Sequence, residues 1–270
     1  MKKQCMELVK SFFRKRPFLA EACMMLLKQR KRISKRKFKY SMKQYYELNK
    51  DGKFAITRRA LYPVYTDISQ NAGHVDQHYF LQDIYMAKKI CMNEPKVHYD
   101  IGSRIDGFIA HLLSSGRIGA VVQLDIRPFS VEVPGLDFIK TDATRLTELR
   151  NGSIDSISSL HAIEHFGLGR YGDLIDPYAW KKALRSIQRK VSGGGIFYFS
   201  CPIGRQDKLY FNAHRVFKPQ TIIRVLNQMQ LVSFAYVHDY KVYEVPIDRM
   251  NSCLQRLGDY DCGLFVFQKT

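Results

Sequence analysis

The stretch from Val97 to Gly107, V-H-Y-D-I-G-S-R-I-D-G, constrains the fold more than any other. Apolar residues lead into Asp100, and Gly102 and Gly107 bracket a tight turn. Phe108-Ile109-Ala110-His111-Leu112-Leu113 then continues as an apolar helical run. A buried strand, a glycine-containing turn and a helix together present backbone N–H groups at one point, as nucleotide-binding α/β folds do for a cofactor.

The segments after Leu113 keep the same rhythm. Ile118 to Asp125 is an apolar run ending in a carboxylate, followed by Ile126, Arg127 and Pro128. Leu136 to Lys140 reads as a third strand and ends at Thr141-Asp142-Ala143. Ile154 to Leu160 reads as a fourth and ends at His161-Ala162-Ile163-Glu164-His165. A helix over Pro177–Val191, terminated by Gly193-Gly194-Gly195, precedes a fifth strand from Ile196 to Cys201, stopped by Pro202. Pro219 opens a helix over Gln220–Met229, and Leu231–Val237 and Gly263–Phe267 are further apolar runs. Strands alternating with helices predict an α/β fold, a doubly wound and mostly parallel Rossmann-like sheet. In such sheets ligands bind beyond the carboxyl ends of the strands, where every polar cluster named here falls. Asp125, about 20 residues past the turn, suits the two hydroxyls of a ribose.

Charge divides the chain differently. Residues 1–60 hold 19 Lys and Arg against four acids, so about +15 of the net +18 lies there. Leu8, Val9, Phe12 and Phe13 recur at helical spacing, and Phe18–Leu27 is followed by a Lys/Arg run interleaved with Phe38, Tyr40, Tyr45 and Tyr46. The expected division is a basic amphipathic helical extension over 1–60 and a Rossmann-like domain over 61–270. Residues 1–40 suit an anionic membrane surface, each near-surface Lys or Arg contributing about 1 kcal/mol. RNA or DNA phosphate and plain solvent are the competing partners. Phe18–Leu27 is shorter than the roughly 20 residues of a membrane span, and no signal-peptide pattern stands out, so a cytoplasmic protein is expected. The six cysteines form no C-x-x-C pair and suit buried free thiols.

Ahead of the first strand, Tyr79 to Ile90 has helical apolar spacing, preceded by His74, Asp76 and His78. A turn and helix cap, rather than a metal site, is the expectation there. His161 and His165, even with His214, lack an accompanying acidic ligand pattern, so no metal is assigned to them. Tyr171 and Trp180 are expected to pack.

The order of these features resembles class I S-adenosylmethionine (SAM)-dependent methyltransferases: D-x-G at Asp100–Gly102, the acid Asp125, Asp142–Ala143, L-H-x-x-E-H at Leu160–His165 and the triple glycine. From about Tyr79 to Ile222, the wording DIGSRIDGF, LDIRP, SSLHAIEHFGLGRYGD, CPIG and FNAHRVF resembles an uncharacterised domain family that occurs with bacterial surface-polysaccharide genes. The resemblance implies SAM as cofactor. The Asp100–Gly102 turn would lie near its methionine part, Asp125 on the ribose and Asp142 near the adenine, with Ser103, Arg104, Ile126, Arg127, Ala143 and His161 as further cofactor-binding residues. His165, Glu164 and His214 are the catalytic candidates, and Tyr79, Arg205 and Arg215 the substrate-binding ones, for O-methyl transfer to a sugar, sugar phosphate or glycolipid. A nucleotide-sugar enzyme and a non-catalytic membrane-tethered scaffold are the alternatives. No Asn/Asp-Pro-Pro-Tyr-type motif follows the fourth strand, so nucleic acid is not the expected substrate. The sequence departs from the resemblance at one point: Arg104 and Asp106 stand two and four places after Gly102, where glycines are usual.

Overall fold

A computed structural model of the chain describes residues 35–50, 55–63, 75–127, 129–130, 132–250 and 254–270. The chain divides into two compact units, Met1–His74 and Val75–Thr270. In the first, residues 35–48 are helical and a short 3-10 turn covers Arg58–Ala60. Phe38, Met42 and Tyr45 of that helix line a hollow with Ile56 and Leu61. The apolar segment from Phe18 to Leu27, the residues before it, and His74 lie outside the described residues. Among the described residues no helix is long and apolar enough to cross a membrane.

The second unit begins with helix α1 (Gln77–Asn93), and Asp76 is its N-cap, accepting from Tyr79 N at 3.5 Å. Then follow β1 (Val97–Ile101), a π turn (Ile105–Ile109) running into α2 (Ala110–Ser114), β2 (Ala120–Asp125), β3 (Leu136–Lys140) and β4 (Ile154–Leu160). Helix α3 (Ala179–Lys190) leads into β5 (Val191–Ile203), a hairpin of β6 (Lys208–Tyr210) and β7 (His214–Val216), and α4 (Pro219–Val225). The chain closes with β8 (Met229–His238), β9 (Lys241–Val245) and β10 (Asp261–Lys269).

Eight strands form one sheet in the order β3-β2-β1-β4-β5-β10-β8-β9. β1 to β5 are mutually parallel, whereas β10 runs antiparallel to both its neighbours and β9 antiparallel to β8. The expected doubly wound, mostly parallel α/β sheet is the observed one. The chain order reverses between β1 and β4, which opens a crevice at their carboxyl ends.

Both faces of the sheet are covered. On one, Ala183, Leu184 and Ile187 of α3 and Ile222 and Val225 of α4 pack on Phe197, Phe199, Phe265 and Phe267. On the other, Met86, Ala87 and Ile90 of α1 and Phe108, Ile109 and Leu112 pack on Val121, Leu160, Tyr198 and Leu264. Alternate residues of β5 and β10 serve opposite faces, as the two-residue strand period requires.

Several boundaries differ from expectation. The helix before β5 stops at Lys190, and Val191 already belongs to the strand. The triple glycine lies inside β5, where the register with β4 shifts between Ile154 and Ser156 and Gly194 takes φ +78°. Between those two pairs β4 advances two residues and β5 five, and the glycines accommodate the three extra ones. β5 also passes through Pro202. The Pro202 carbonyl accepts from Phe217 N, so its nitrogen faces that side too, away from β10, and no ladder bond is lost. The helix opened by Pro219 ends at Val225, not Met229, which begins β8. β9 and the β6–β7 hairpin had no clear signal in the sequence.

Phe265 is fully buried against Phe199, Phe234 and Phe267. Phe265→Ala is expected to lower the unfolding free energy by about 3–5 kcal/mol, read from urea denaturation.

Candidate functional site

The site starts with a buried relay of hydroxyls. Asp100, at the end of β1, has no exposure, and its Oδ2 accepts from Ser103 N at 2.9 Å. Its Oδ1 accepts from Ser103 Oγ at 2.7 Å and Ser158 Oγ at 2.6 Å. Ser158 spends its one proton on Asp100, so it accepts from His98 Nε2 at 2.9 Å. His98 Nδ1 is then the acceptor for Ser156 Oγ at 2.7 Å. Burial drives His98 down to about 3, so this ring is neutral, and burial raises Asp100 to about 6 against the pull of its three donors. The relay holds the turn after β1. Gly102 takes φ +68° there, and a Cβ would stand 3.2 Å from the Ala162 Cβ.

Above this turn lies a cavity of about 580 Å³, at the point where strand order reverses. Its walls come from α1 (Tyr79, Gln82, Asp83), the β1 turn, the end of β2 (Gln123, Asp125, Arg127), the end of β4 (Leu160, His161) and Tyr171. Phe129 and Phe138 also line it, stacked with ring centroids 5.0 Å apart. Asp125 is held by Arg127, whose backbone N and Nε lie at 2.9 Å and whose second guanidinium nitrogen lies at 2.5 Å. Arg104 pairs with Asp106 through two hydrogen bonds, at 3.1 and 2.9 Å, and lies over the Tyr79 ring. The two side chains that replace glycines therefore neutralise each other at the rim. Gln123 donates from Nε2 to Ser103 O at 2.9 Å, and its buried Oε1 has no partner among the described residues.

Asp83 is also buried in this wall. Its carboxylate lies against the backbone of Gly107, where an added Cβ would meet Oδ2 at 2.5 Å. Burial raises it to about 7, opposed by the hydrogen bond from Gln82 Nε2 at 3.1 Å.

Behind the cavity stands a histidine cluster. His161 has φ +50°, and its Nδ1 meets Glu164 Oε1 at 2.9 Å and its Nε2 meets Cys262 Sγ at 3.3 Å. Burial opposes its charge, yet the contacts with Cys262 and Glu164 carry its pKa well above the usual value. Glu164 Oε2 is buried and has no partner among the described residues. His165 donates from Nδ1 to Ala213 O at 2.6 Å, so its Nε2, 3.6 Å from Glu164 Oε1, carries the lone pair. Burial lowers the pKa of His165 and takes His214 to about 4. Rings continue outward from His161 through His78, Tyr260 and His214 to Tyr210 on the hairpin.

Of the residues expected from sequence, Tyr79, Gly102, Ser103, Arg104, Asp125, Arg127 and His161 line the cavity. Asp100 lies beneath it. Ile126, Asp142 and Ala143 are not on its walls; Asp142 instead accepts from Thr144 N at 2.8 Å and closes its own turn. Glu164, His165 and His214 come together behind His161. Arg215 is buried, its guanidinium donating to the carbonyls of Glu164, Phe166 and Pro177, so it pins the loop after β4 rather than offering charge to a ligand. Arg205 is exposed and faces Asp259. Tyr171, expected to pack, lines the cavity, whereas Trp180 does pack, on Phe217. Sequence reasoning missed Asp83, Gln123 and Cys262. Gln123 stands two places before Asp125 on β2 and Asp83 four places after Tyr79 on α1, so periodicity alone would have placed both on the cavity side. Nothing in the sequence pointed to Cys262. Among the described residues no group of His, Cys, Asp and Glu is arranged to hold a metal ion.

The fold is one that methyltransferases share. Burkholderia thailandensis 1,6-didemethyltoxoflavin-N1-methyltransferase superposes with a TM-score of 0.50 and 16% identity, over 72% of this chain and 80% of that one. The complex between the Haloferax volcanii Trm112 methyltransferase activator and the putative methyltransferase gives 0.49 and 14% identity, over 72% and 91%. The N-methyltransferase NodS from Bradyrhizobium japonicum WM9 gives 0.48 and 13%, over 72% and 99%. The mostly parallel α/β fold described above is thus methyltransferase-like. Residues 135–259 match the family model described as Caenorhabditis protein of unknown function, DUF268. No curated protein matches the sequence.

Asp83 gives a pH test of this geometry. Its folded-state pKa lies above the unfolded value, so its stability contribution is fully present below about pH 4 and is lost as pH rises towards 7. Asp83→Asn is expected to stabilise the protein by on the order of 3 kcal/mol at pH 8, about 5–10 °C in Tm, and by well under 1 kcal/mol at pH 4. Melts across that range check it; a gain independent of pH refutes it.

Proposed function

We propose that the protein is a SAM-dependent methyltransferase acting on a hydroxyl of a sugar, sugar phosphate or glycolipid. The observation that carries the reading is the cavity above the Asp100–Gly102 turn. Its donor set suits SAM: Asp125 offers carboxylate oxygens towards ribose hydroxyls, Gln123 Oε1 is an acceptor lacking a donor, and the Phe129–Phe138 stack is a flat apolar wall for a purine. The Burkholderia enzyme with this fold carries S-adenosylhomocysteine (SAH). Arg104, which the phosphates of a nucleotide-sugar would need, already faces Asp106, and this favours SAM over that alternative.

SAM supplies an electrophilic methyl group. His165 is the base in this reading. The Ala213 carbonyl fixes its tautomer, so Nε2 is free to take a hydroxyl proton, and Glu164 stabilises the imidazolium that results. His161 holds Glu164 in its charged form. The acceptor would approach along the rings leading to Tyr210. There the hairpin exposes Leu209 and Phe211 beside a loop exposing Leu174 and Ile175, the two joined by Arg170 donating to Ala213 O at 3.0 Å. Such an apolar rim suits an amphiphile better than a free sugar. The sugar part of the reading rests on the motif resemblance between Tyr79 and Ile222. Residues 1–40 would hold the protein on anionic lipid; the helix over 35–48 exposes Lys35, Arg36, Lys39 and Lys43 beside Tyr40 and Tyr46.

Calorimetric titration with SAM should give measurable heat, and SAM at a hundredfold excess over Kd should stabilise the fold by about 2.7 kcal/mol. Asp125→Ala should weaken binding by about tenfold or more, whereas His165→Ala should leave it unchanged. The absence of heat and of a thermal shift at millimolar SAM removes the cofactor assignment. Deleting residues 1–40 should cut co-sedimentation with anionic liposomes by about tenfold; unchanged binding rejects the membrane role.

A further inference from the structure

We propose that Asp83 is the counter-ion for the cationic centre of the bound cofactor, and that binding drives a proton off its carboxyl group. The inference rests on reading the cavity as a SAM site, and it adds a residue from α1 that lies outside the strand-end motifs.

Asp83 has the position of a ligand-facing acid without a partner of opposite charge. It is buried in the cavity wall, and among the described residues it forms no ion pair. Among the described residues its hydrogen bond comes from the neutral amide of Gln82. That amide is itself fixed, because Gln82 Oε1 accepts from Ser200 Oγ at 2.6 Å and faces Cys262 Sγ at 3.7 Å. Gly107 leaves the space into which the carboxylate fits, so its place is built by the packing of α1 on the π turn.

The charged groups around Asp83 are spoken for. Arg104 faces Asp106, Arg127 faces Asp125, and His161 faces Glu164. Asp100 lies below the turn, and Asp106 and Asp125 share the cavity. Tyr79 and Tyr171 add uncharged rings, and Cys262 is a buried thiol whose pKa burial raises. The local surplus is therefore acidic, with a desolvated carboxyl that ionises near pH 7 when the cavity holds no cation. SAM brings two positive centres, the sulfonium and the α-ammonium. Either one beside Asp83 favours the carboxylate. The step balances as the loss of one proton from the Asp83 carboxyl to buffer for each SAM bound, the carboxylate charge then meeting the cation.

The test is titration calorimetry of the full chain with SAM, at pH 6 and pH 7.5, in buffers of different ionisation enthalpy. The expected result is release approaching one proton per SAM at pH 6 and a small fraction of that at pH 7.5, with Kd tightening roughly tenfold between them. Asp83→Asn should bind SAM with no such release and little pH dependence, and about tenfold more weakly than the parent at pH 7.5. Thermal melts of the variant verify its folded state. Asp106→Asn, a change to an exposed carboxylate at the same rim, should keep the proton release. SAH separates the two centres: release that persists assigns Asp83 to the α-ammonium, and release that vanishes assigns it to the sulfonium. SAM binding without buffer-dependent heat, or undiminished release in Asp83→Asn, overturns the inference while leaving the cofactor reading intact. No SAM binding at either pH overturns both.

Discussion

The carboxylate of Asp100 is the interaction on which the site depends. It is removed from water, and hydrogen bonds from Ser103 and Ser158 answer both of its oxygens. A buried carboxylate left unpaired would cost several kcal/mol, so this set of donors is a condition of folding as much as a device of function. Through it, β4 and the turn after β1 become one object. His98 extends the coupling to Ser156, and Ser103 carries it to Gln123 and the N–H of Leu160. The crevice between β1 and β4 is therefore stiff at its floor.

Polar groups at the rim are treated in two ways. The exposed cations Arg104 and Arg127 each have an acid two residues away, which spares the cavity their charge. Among the described residues the buried groups are left incomplete: Gln123 Oε1 and Glu164 Oε2 lack donors, and Asp83 forms no ion pair. Native interiors hold few such atoms. His161 belongs with them. Its left-handed backbone is unusual for a side chain of this size, and it places the imidazole between Glu164, Cys262 and the cavity.

The parallel half of the sheet was legible because each of its strands carries apolar residues up to a polar cluster at or just past its carboxyl end. Asp100, Asp125 and His161 stood out for the same reason. The antiparallel half was less so. β9 and the β6–β7 hairpin are short and half exposed, and their apolar residues follow no clean period. The triple glycine read as a helix stop because glycine does end helices, but here it serves a strand bulge. Arg215 was expected at a substrate, because composition cannot say whether an arginine faces a ligand or three carbonyls of its own chain, as it does here. Asp142 was placed by analogy with a motif, and its side chain turns to its own loop.

The position of β10 has a consequence for how the molecule is made. This strand is later in the chain than every strand it separates, yet it lies inside the sheet, between β5 and β8. It brings Cys262 to His161, and the segment leading into it brings Tyr260 to His78. A nascent chain emerging from the ribosome would hold the β1 to β5 platform with an open flank, waiting for one late insertion to seal it. The histidine cluster is thus completed only by that insertion, and a molecule lacking β10 carries the turn and its floor without the contact from Cys262 to His161.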